Sequence, residues 1–529
     1  MPTFSVTVKH RGKKYDIDVD PESTGEDFKL QLFSLTAVEP SRQKIILKGL
    51  TLKDEVLMKN SGIKPGQSIM MMGTPSDDPA ALTRPKEPIK FAEDLEEQGI
   101  LTLGYPAGIQ NLGNTCYLNS TVQLLNAIPE LVNSLGPTAT PSADAHSQKM
   151  YFEFLKMLKS LKSGRETLAP INFLGHFRAV YPQFSERSKT GHGFAQQDAE
   201  EAMSQILAFL KRNDSAATGG QKSIIDKYMT GSFKTSITCD EGDDNAELAT
   251  GSEDFTKLSC HITSSTNHLS DSLKAALTER IEKKSERLGR DAMYTKTMQI
   301  SRLPRYLTMH FVRFFWKRDT QKKAKIMRKV TFPQELDLVE YCSPELREKL
   351  IPVRDKVREV RKDEEDIERS RKRRKTTAST AEPEATRRTA PTTTTDGDTE
   401  MGETFKTDAQ VDAEKDEALK KAKAELKALL SPELAADEGA SQTGIYELRA
   451  VVTHQGASAD SGHYTAYVKK EAVVDAKTGK KTEDGSWWWF NDDKVSEVGA
   501  EKIEGLAGGG ETHSALVLLY RSVAPPVDE

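Results

Sequence analysis

Residues 361–407 contain almost no large aliphatic side chain: RKDEEDIERSRKRRK runs into Thr, Ala, Pro and Glu, with four threonines in succession at 392–395. Such a segment cannot bury enough apolar surface to offset the entropy of fixing its backbone, so it reads as disordered. Any core must close around it or stop before it. Charged stretches at 344–360 and 413–430 flank it, the second with a narrow apolar stripe of Leu419, Leu426 and Leu430, and both read as helical. Residues 361–440 are thus expected as a largely disordered insertion in one domain; the alternative is a linker between two domains.

The first 75 residues read as a unit of their own. TFSVTVKH alternates Phe4, Val6 and Val8 with polar neighbours, and RGKKYDIDVD repeats the pattern with Tyr15, Ile17 and Val19 after Gly12, which predicts a hairpin. A short helix over 24–36, the apolar run at 45–47, the turn Lys64-Pro65-Gly66 and a strand over 68–72 complete the order β-β-α-β-β. That order resembles ubiquitin, including Lys48-Gly49 after the third strand, and the resemblance implies a β-grasp fold. Because the chain continues as Gly73-Thr74-Pro75 with no terminal Gly-Gly, the unit is expected to be a built-in docking domain and not an attachable modifier. The same alignment puts Ile46 at the centre of an apolar recognition surface with Met72 beside it, while strand alternation points Ile69 and Met71 inward and Met70 and Met72 outward. Residues 76–103, rich in Pro, Asp, Glu and Lys, read as a flexible linker.

Composition excludes several classes of function. With 75 Lys plus Arg against 80 Asp plus Glu, the formal net charge of −5 gives no global footprint for nucleic acid or an anionic membrane. Trp487, Trp488 and Trp489 lack the positive groove that a base-stacking platform needs. The 4 cysteines, at 116, 239, 260 and 342, are too scattered for a disulfide framework and point to a reducing compartment. No apolar run nears the roughly 18 residues of a membrane span, and the N-terminus lacks a signal-peptide core, so a cytoplasmic or nuclear protein is expected. The basic run RSRKRRK at 369–375 reads equally as a nuclear-import signal or a solvated patch.

GIQNLGNTCYLNSTVQLLN at 108–126 delivers Cys116 from a loop with two glycines to the start of a helix carrying Leu118, Val122 and Leu125. Free backbone N–H groups and the helix dipole favour a thiolate there, which suits a nucleophile, although a small buried thiol fits the same local pattern. His463, in DSGHYTAYVKK, lies at the head of an alternating strand, and WWWFNDDKV forms the next apolar strand. Antiparallel pairing would bring Asn491 or Asp492 beside His463, supplying the acceptor that a general base needs on its second nitrogen. Taken alone, His463 also fits a packed strand histidine.

Together these stretches resemble the papain-like ubiquitin-specific proteases, the cysteine deubiquitinases. The match runs in order through the cysteine box, FAQQDAEEAM at 194–203, ISRLPRYLTMHFVRFFWK at 300–317, the histidine box ending HQGASADSGHYTAYV, and FNDDKVSEV at 490–498. It implies an α+β chain with a catalytic domain of fingers, palm and thumb over 104–523. It also implies Cys116 as nucleophile, His463 as general base, Asn491 as the orienting third member and Asn111 as side-chain donor to the oxyanion. Many family members have Asp at position 491, so adjacent Asp492 is an alternative orienter. Gln197, Asp198, Gly462 and Tyr464 match positions lining the channel for ubiquitin's extended tail. The family's zinc ribbon needs two Cys-x-x-Cys pairs that this chain lacks, so no metal and no cofactor is expected. An N-terminal ubiquitin-like domain without a zinc ribbon is most similar to the proteasome-associated branch of the family, which implies ubiquitin and ubiquitinated proteins as substrates. It further implies docking on the 19S regulatory particle of the 26S proteasome, with activity raised by docking. Two alternatives stay open: a non-catalytic ubiquitin receptor, or a thiol protease for a different ubiquitin-like modifier.

Overall fold

Period-two alternation folds the first unit as the sequence predicts. In the computed structural model, strand β1 (Phe4–His10) buries Val6 and Val8, and β2 (Lys13–Val19) pairs with it antiparallel and buries Ile17 and Val19. Helix α1 (Gly25–Thr36) drops Phe28 and Leu32 onto that face. Strands β3 (Lys44–Leu47), β4 (Leu50–Thr51) and β5 (Ser68–Met72) complete a sheet of order β2-β1-β5-β3-β4 with β1 and β5 parallel, a β-grasp. Ile69 and Met71 are each 2% exposed, against 53% for Met70 and 50% for Met72. The register sets Met70 opposite Ile46 and Met72 opposite Lys44, so the direct neighbour of Ile46 is Met70. Alternation fixes which residues face out; only pairing fixes who stands beside whom.

The described residues are 4–73 and 105–526, less short stretches, chiefly 137–143, 189–192, 215–221, 242–246, 318–321, 381–407 and 475–480; the expected linker at 76–103 lies outside them. The chain divides into two compact units, Met1–Ile89 and Lys90–Glu529.

In the second unit, helices α2 (Cys116–Asn126), α3 (Ala145–Ser163), α4 (Ile171–Val180) and α5 (Ala199–Asn213) share one core, filled by Leu118, Val122, Phe154, Phe177 and Ile206. Strands β6 (Gly231–Cys239), β7 (Glu247–Phe255), β8 (Leu258–His261), β9 (Thr278–Lys284) and β10 (Asp291–Arg302) follow. Four of them form a separate sheet, β7-β6-β10-β9. The larger sheet draws on β8 and on β11 (Tyr306–Val312), β12 (Phe314–Lys317), β13 (Lys322–Lys325), β14 (Glu335–Asp337), β15 (Ile445–Ser458) and β16 (Ser461–Lys469). A small hairpin, β17 (Val473–Val474) with β18 (Lys481–Thr482), precedes β19 (Trp487–Asn491), β20 (Lys494–Val498) and β21 (Ser514–Ser522). The main path runs β20-β19-β16-β15-β21-β11-β8, so the last strand in sequence is an interior one. A helical lobe, a central sheet and a separate four-stranded sheet match the thumb, palm and fingers that the resemblance implies.

The insertion differs from its expected extent. Helix α6 spans Pro344–Thr380 and α7 spans Asp408–Leu429, so ordered helix reaches well into the stretch read as disordered; 381–407 lie outside the described residues. Apolar counting misses what pairs the helices: Arg371 with Asp416 at 2.8 Å, Arg374 with Asp412 at 3.0 Å, and Lys423 with Glu364 at 3.0 Å. At their base Val353, Val357 and Leu426 pack with Ile445 and Val523, tying the pair to the sheet. Among the described residues no helix is long and apolar enough to cross a membrane.

Candidate active site

The loop before α2 is organised by one side chain. Asn111 Oδ1 accepts the N–H groups of Gly113 at 3.0 Å and Thr115 at 3.2 Å, folding the chain through Gly113 (φ +92°) and Asn114 (φ +54°) so that Cys116 arrives as the first helical residue. Asn114 Nδ2 donates to the Phe194 carbonyl at 2.9 Å, fixing this loop against the one that leads to α5.

Opposite the loop, β15 and β16 form a hairpin whose return passes through Gly462 at φ +128°. A Cβ there would lie 2.1 Å from Gln455 O and 2.7 Å from His454 Nε2, so only glycine fits before His463. His463 Nε2 is 2.6 Å from Asn491 Oδ1 on the adjacent strand β19, and 3.9 Å from Asp492 Oδ2. An amide oxygen only accepts, so the ring hydrogen sits on Nε2 and the Nδ1 lone pair is left for another proton. Asp492 is committed elsewhere: its carboxylate accepts from Asn111 Nδ2 at 2.9 Å and Asn119 Nδ2 at 2.8 Å. Its main-chain carbonyl takes the Ile109 N–H at 2.9 Å, stitching the cysteine loop to the β19–β20 turn. Asp492 adopts φ +55° in that two-residue turn, a conformation an Asp tolerates.

The electrostatics of Cys116 differ from the expectation. Burial pushes its thiol up to about 11 and the Asp492 carboxylate adds to the rise, while hydrogen bonding from the Tyr464 backbone acts the other way. Burial thus opposes the thiolate that the helix N-terminus favours, because Cys116 is only 2% exposed and a desolvated sulfur anion is costly. Among the described residues no hydrogen bond joins Cys116 Sγ to His463.

Asp198 is the N-cap of α5, its carboxylate accepting the Glu200 N–H at 2.8 Å. The side-chain amide nitrogens of Gln196 and Gln197 are buried with no hydrogen-bond partner among the described residues. Native folds seldom leave such donors idle without a reason. Tyr464 is 1% exposed, its ring set edge-on to His454 at 4.7 Å, so the phenol is core and not an open wall. The sequence reading missed Asn119 and His454. A polar residue on the buried face of the cysteine helix was the available signal for Asn119; His454 gave none beyond its place in the histidine box. All four cysteines are buried and unpaired, and no group of three or more His, Cys, Asp or Glu among the described residues is arranged to hold a metal.

Comparison with known families matches residues 107–520 to the ubiquitin carboxyl-terminal hydrolase family and residues 6–76 to the ubiquitin family. The chain is 43% identical over 517 residues to ubiquitin carboxyl-terminal hydrolase 6 of Schizosaccharomyces pombe, covering 98% of each. It is 37% identical to ubiquitin carboxyl-terminal hydrolase 6 of Arabidopsis thaliana, over 99% of each chain. To ubiquitin carboxyl-terminal hydrolase 14 of Caenorhabditis elegans it is 32% identical, covering 98% of this chain and 93% of that one.

Proposed function

Since the chain belongs to the ubiquitin carboxyl-terminal hydrolase family, with a ubiquitin-family domain ahead of the catalytic one, we propose that it is a thiol isopeptidase cleaving after the last glycine of ubiquitin at the 26S proteasome. Cys116 is the nucleophile. It starts as a neutral thiol and passes its proton to His463 Nδ1 as the sulfur attacks the carbonyl carbon, with Asn491 holding the imidazole through Nε2. The Cys116 main-chain N–H and the second Asn111 amide hydrogen stabilise the oxyanion while the first stays on Asp492. The imidazolium then protonates the leaving lysine amine, and water releases ubiquitin from the thioester. Gln197, Asp198 and Gly462 contact the extended tail, where a chain ending Gly-Gly passes and side chains would clash.

The observation that most supports this reading is the 2.6 Å pairing of His463 Nε2 on β16 with Asn491 Oδ1 on β19, next to the β19–β20 turn that is stitched to the cysteine loop. The catalytic domain spans 104–523. Ile46, Met70 and Met72 form the face by which the ubiquitin-like domain meets the 19S regulatory particle. The compartment is the cytoplasm or the nucleus, whose reducing poise suits four unpaired cysteines.

The test is hydrolysis of a ubiquitin C-terminal fluorophore by the parent and by Cys116→Ala, each with and without purified proteasome. Turnover is expected for the parent only, rising on proteasome addition. Undiminished turnover by Cys116→Ala would remove it from the chemistry. Failure of a ubiquitin-tail electrophile to label the parent would favour a receptor, and preference for another modifier's fluorophore would move the substrate.

A further inference from the structure

A second cluster of ionisable side chains sits where the first turn of α5 meets the central sheet. Glu200 Oε1 accepts from Lys257 Nζ, in the turn between β7 and β8, and from Ser204 Oγ at 2.5 Å. Lys257 Nζ also donates to Ser204 Oγ at 3.0 Å, and Glu200 Oε2 lies 3.9 Å from His310 Nδ1 on β11. Side-chain exposure is 12% for Glu200 and for His310 and 32% for Lys257, so the ion pair is screened by little water. Burial acts to raise the Glu200 carboxyl, yet its partners hold it below the ordinary value.

Glu200 is held at both ends. Its carboxylate is fastened to the sheet by Lys257, and its main-chain N–H is the group that Asp198 caps at 2.8 Å. Next to Asp198 stands Gln197, with its buried and idle amide nitrogen. Fixing Glu200 therefore fixes the main-chain donor against which the Asp198 carboxylate is set, one residue from Gln197.

We infer that Glu200 and Lys257 are positioning residues for recognition of the ubiquitin tail, acting through Asp198 and Gln197 and not through the reacting atoms. This rests on the reading that Asp198 and Gln197 contact the tail. A clamp of this kind lowers KM and leaves kcat alone, because it orders a binding surface and touches neither the thiol nor the imidazole. A cluster that only props up the fold would instead reduce the active fraction, and so kcat, together with the melting temperature.

The experiment is steady-state hydrolysis of a ubiquitin C-terminal fluorophore by the full chain and by Lys257→Met, Lys257→Arg, Asp198→Ala and the double variant Lys257→Met/Asp198→Ala. Lys257→Met is expected to raise KM roughly fivefold to twentyfold with kcat within about twofold. Lys257→Arg should recover most of the loss, and the double variant should be no worse than Asp198→Ala alone, the mark of two residues acting in series. If Asp198→Ala leaves KM unaltered, the channel reading falls and the clamp with it. If Asp198→Ala raises KM while Lys257→Met does not, lowers only kcat, or adds fully in the double variant, the channel reading stands and the clamp is overturned. A melting curve for each variant distinguishes a lost fold from a lost contact.

Discussion

Asn491 Oδ1 lies 2.6 Å from His463 Nε2, while the neighbouring Asp492 carboxylate stays at 3.9 Å and spends its oxygens on two asparagine amides. The imidazole is thus oriented by a neutral acceptor with a charge one step further off. Asn491→Asp keeps the acceptor and should leave kcat/KM within about threefold, whereas Asn491→Ala should lower it roughly 100-fold. Near-parental hydrolysis by Asn491→Ala, beside a crippled Asp492→Ala, would transfer the orienting role to Asp492.

Because burial pushes the Cys116 thiol up to about 11, the thiolate fraction of the substrate-free protein grows with pH across the neutral range. Iodoacetamide modification of Cys116, mapped by mass spectrometry, should rise roughly tenfold per pH unit from about 7 to 9 without levelling. A plateau below about pH 8 would mean a preformed thiolate.

Desolvation lowers three imidazoles, the buried His454 to about 3 and the half-buried His310 and His513 to about 4. A folded-state value below the unfolded one means that folding excludes a proton. Their stabilising contribution is present above about pH 6.5 and is lost as pH falls toward 4. Unfolding free energy in urea should therefore drop steeply from pH 6.5 to 5, and His310→Gln should flatten the slope. An unchanged slope would show that carboxylates alone govern acid stability.

Leu426 of α7 is fully buried against Val353, Val357, Ile445 and Val523, so Leu426→Ala should cost about 2 to 4 kcal/mol. Asp416→Ala breaks only an exposed pair with Arg371 and should cost under about 1 kcal/mol. Replacing 381–407 by a short Gly/Ser bridge should leave the melting temperature within a few degrees. A large fall in that last variant would give the excised segment a packing role.

The register of the N-terminal sheet makes Met70 the direct partner of Ile46. Ile46→Ala with Met70→Ala should weaken proteasome association by roughly 2 to 4 kcal/mol, more than Ile46→Ala with Met72→Ala, while free ubiquitin-fluorophore is hydrolysed as before. Equal loss with and without proteasome would make this domain a support for the catalytic one.

The hairpin, the N-terminal helix and the cysteine and histidine boxes were legible because each is a local pattern: alternation at Phe4, Val6 and Val8, or a Gly-His-Tyr heading a strand. The extent of α6 was not, since Arg371 and Arg374 look like solvated charge until Asp416 and Asp412 arrive from 38 to 45 residues away. The state of Cys116 was hidden for the same reason: a helix N-terminus is written locally, but the desolvation that overrides it comes from whatever packs over the sulfur. Asn491 could not be separated from Asp492 until Asn111 and Asn119 were seen to occupy the carboxylate.

Strand β21, the last in sequence, lies between β15 and β11 inside the central sheet. On a ribosome moving at about 5 to 20 residues per second, the nucleophile emerges roughly 20 to 80 s before that strand. For most of that interval the partly made chain lacks His463 and Asn491, and β11 and β15, once made, each keep an open edge until β21 follows. The base, its orienting Asn491 and the interior strand all lie in the last sixth of the chain, so the site and the central sheet are completed only as synthesis ends. Without residues 514–522, β15 and β11 would lose the strand that pairs them and be left with open edges.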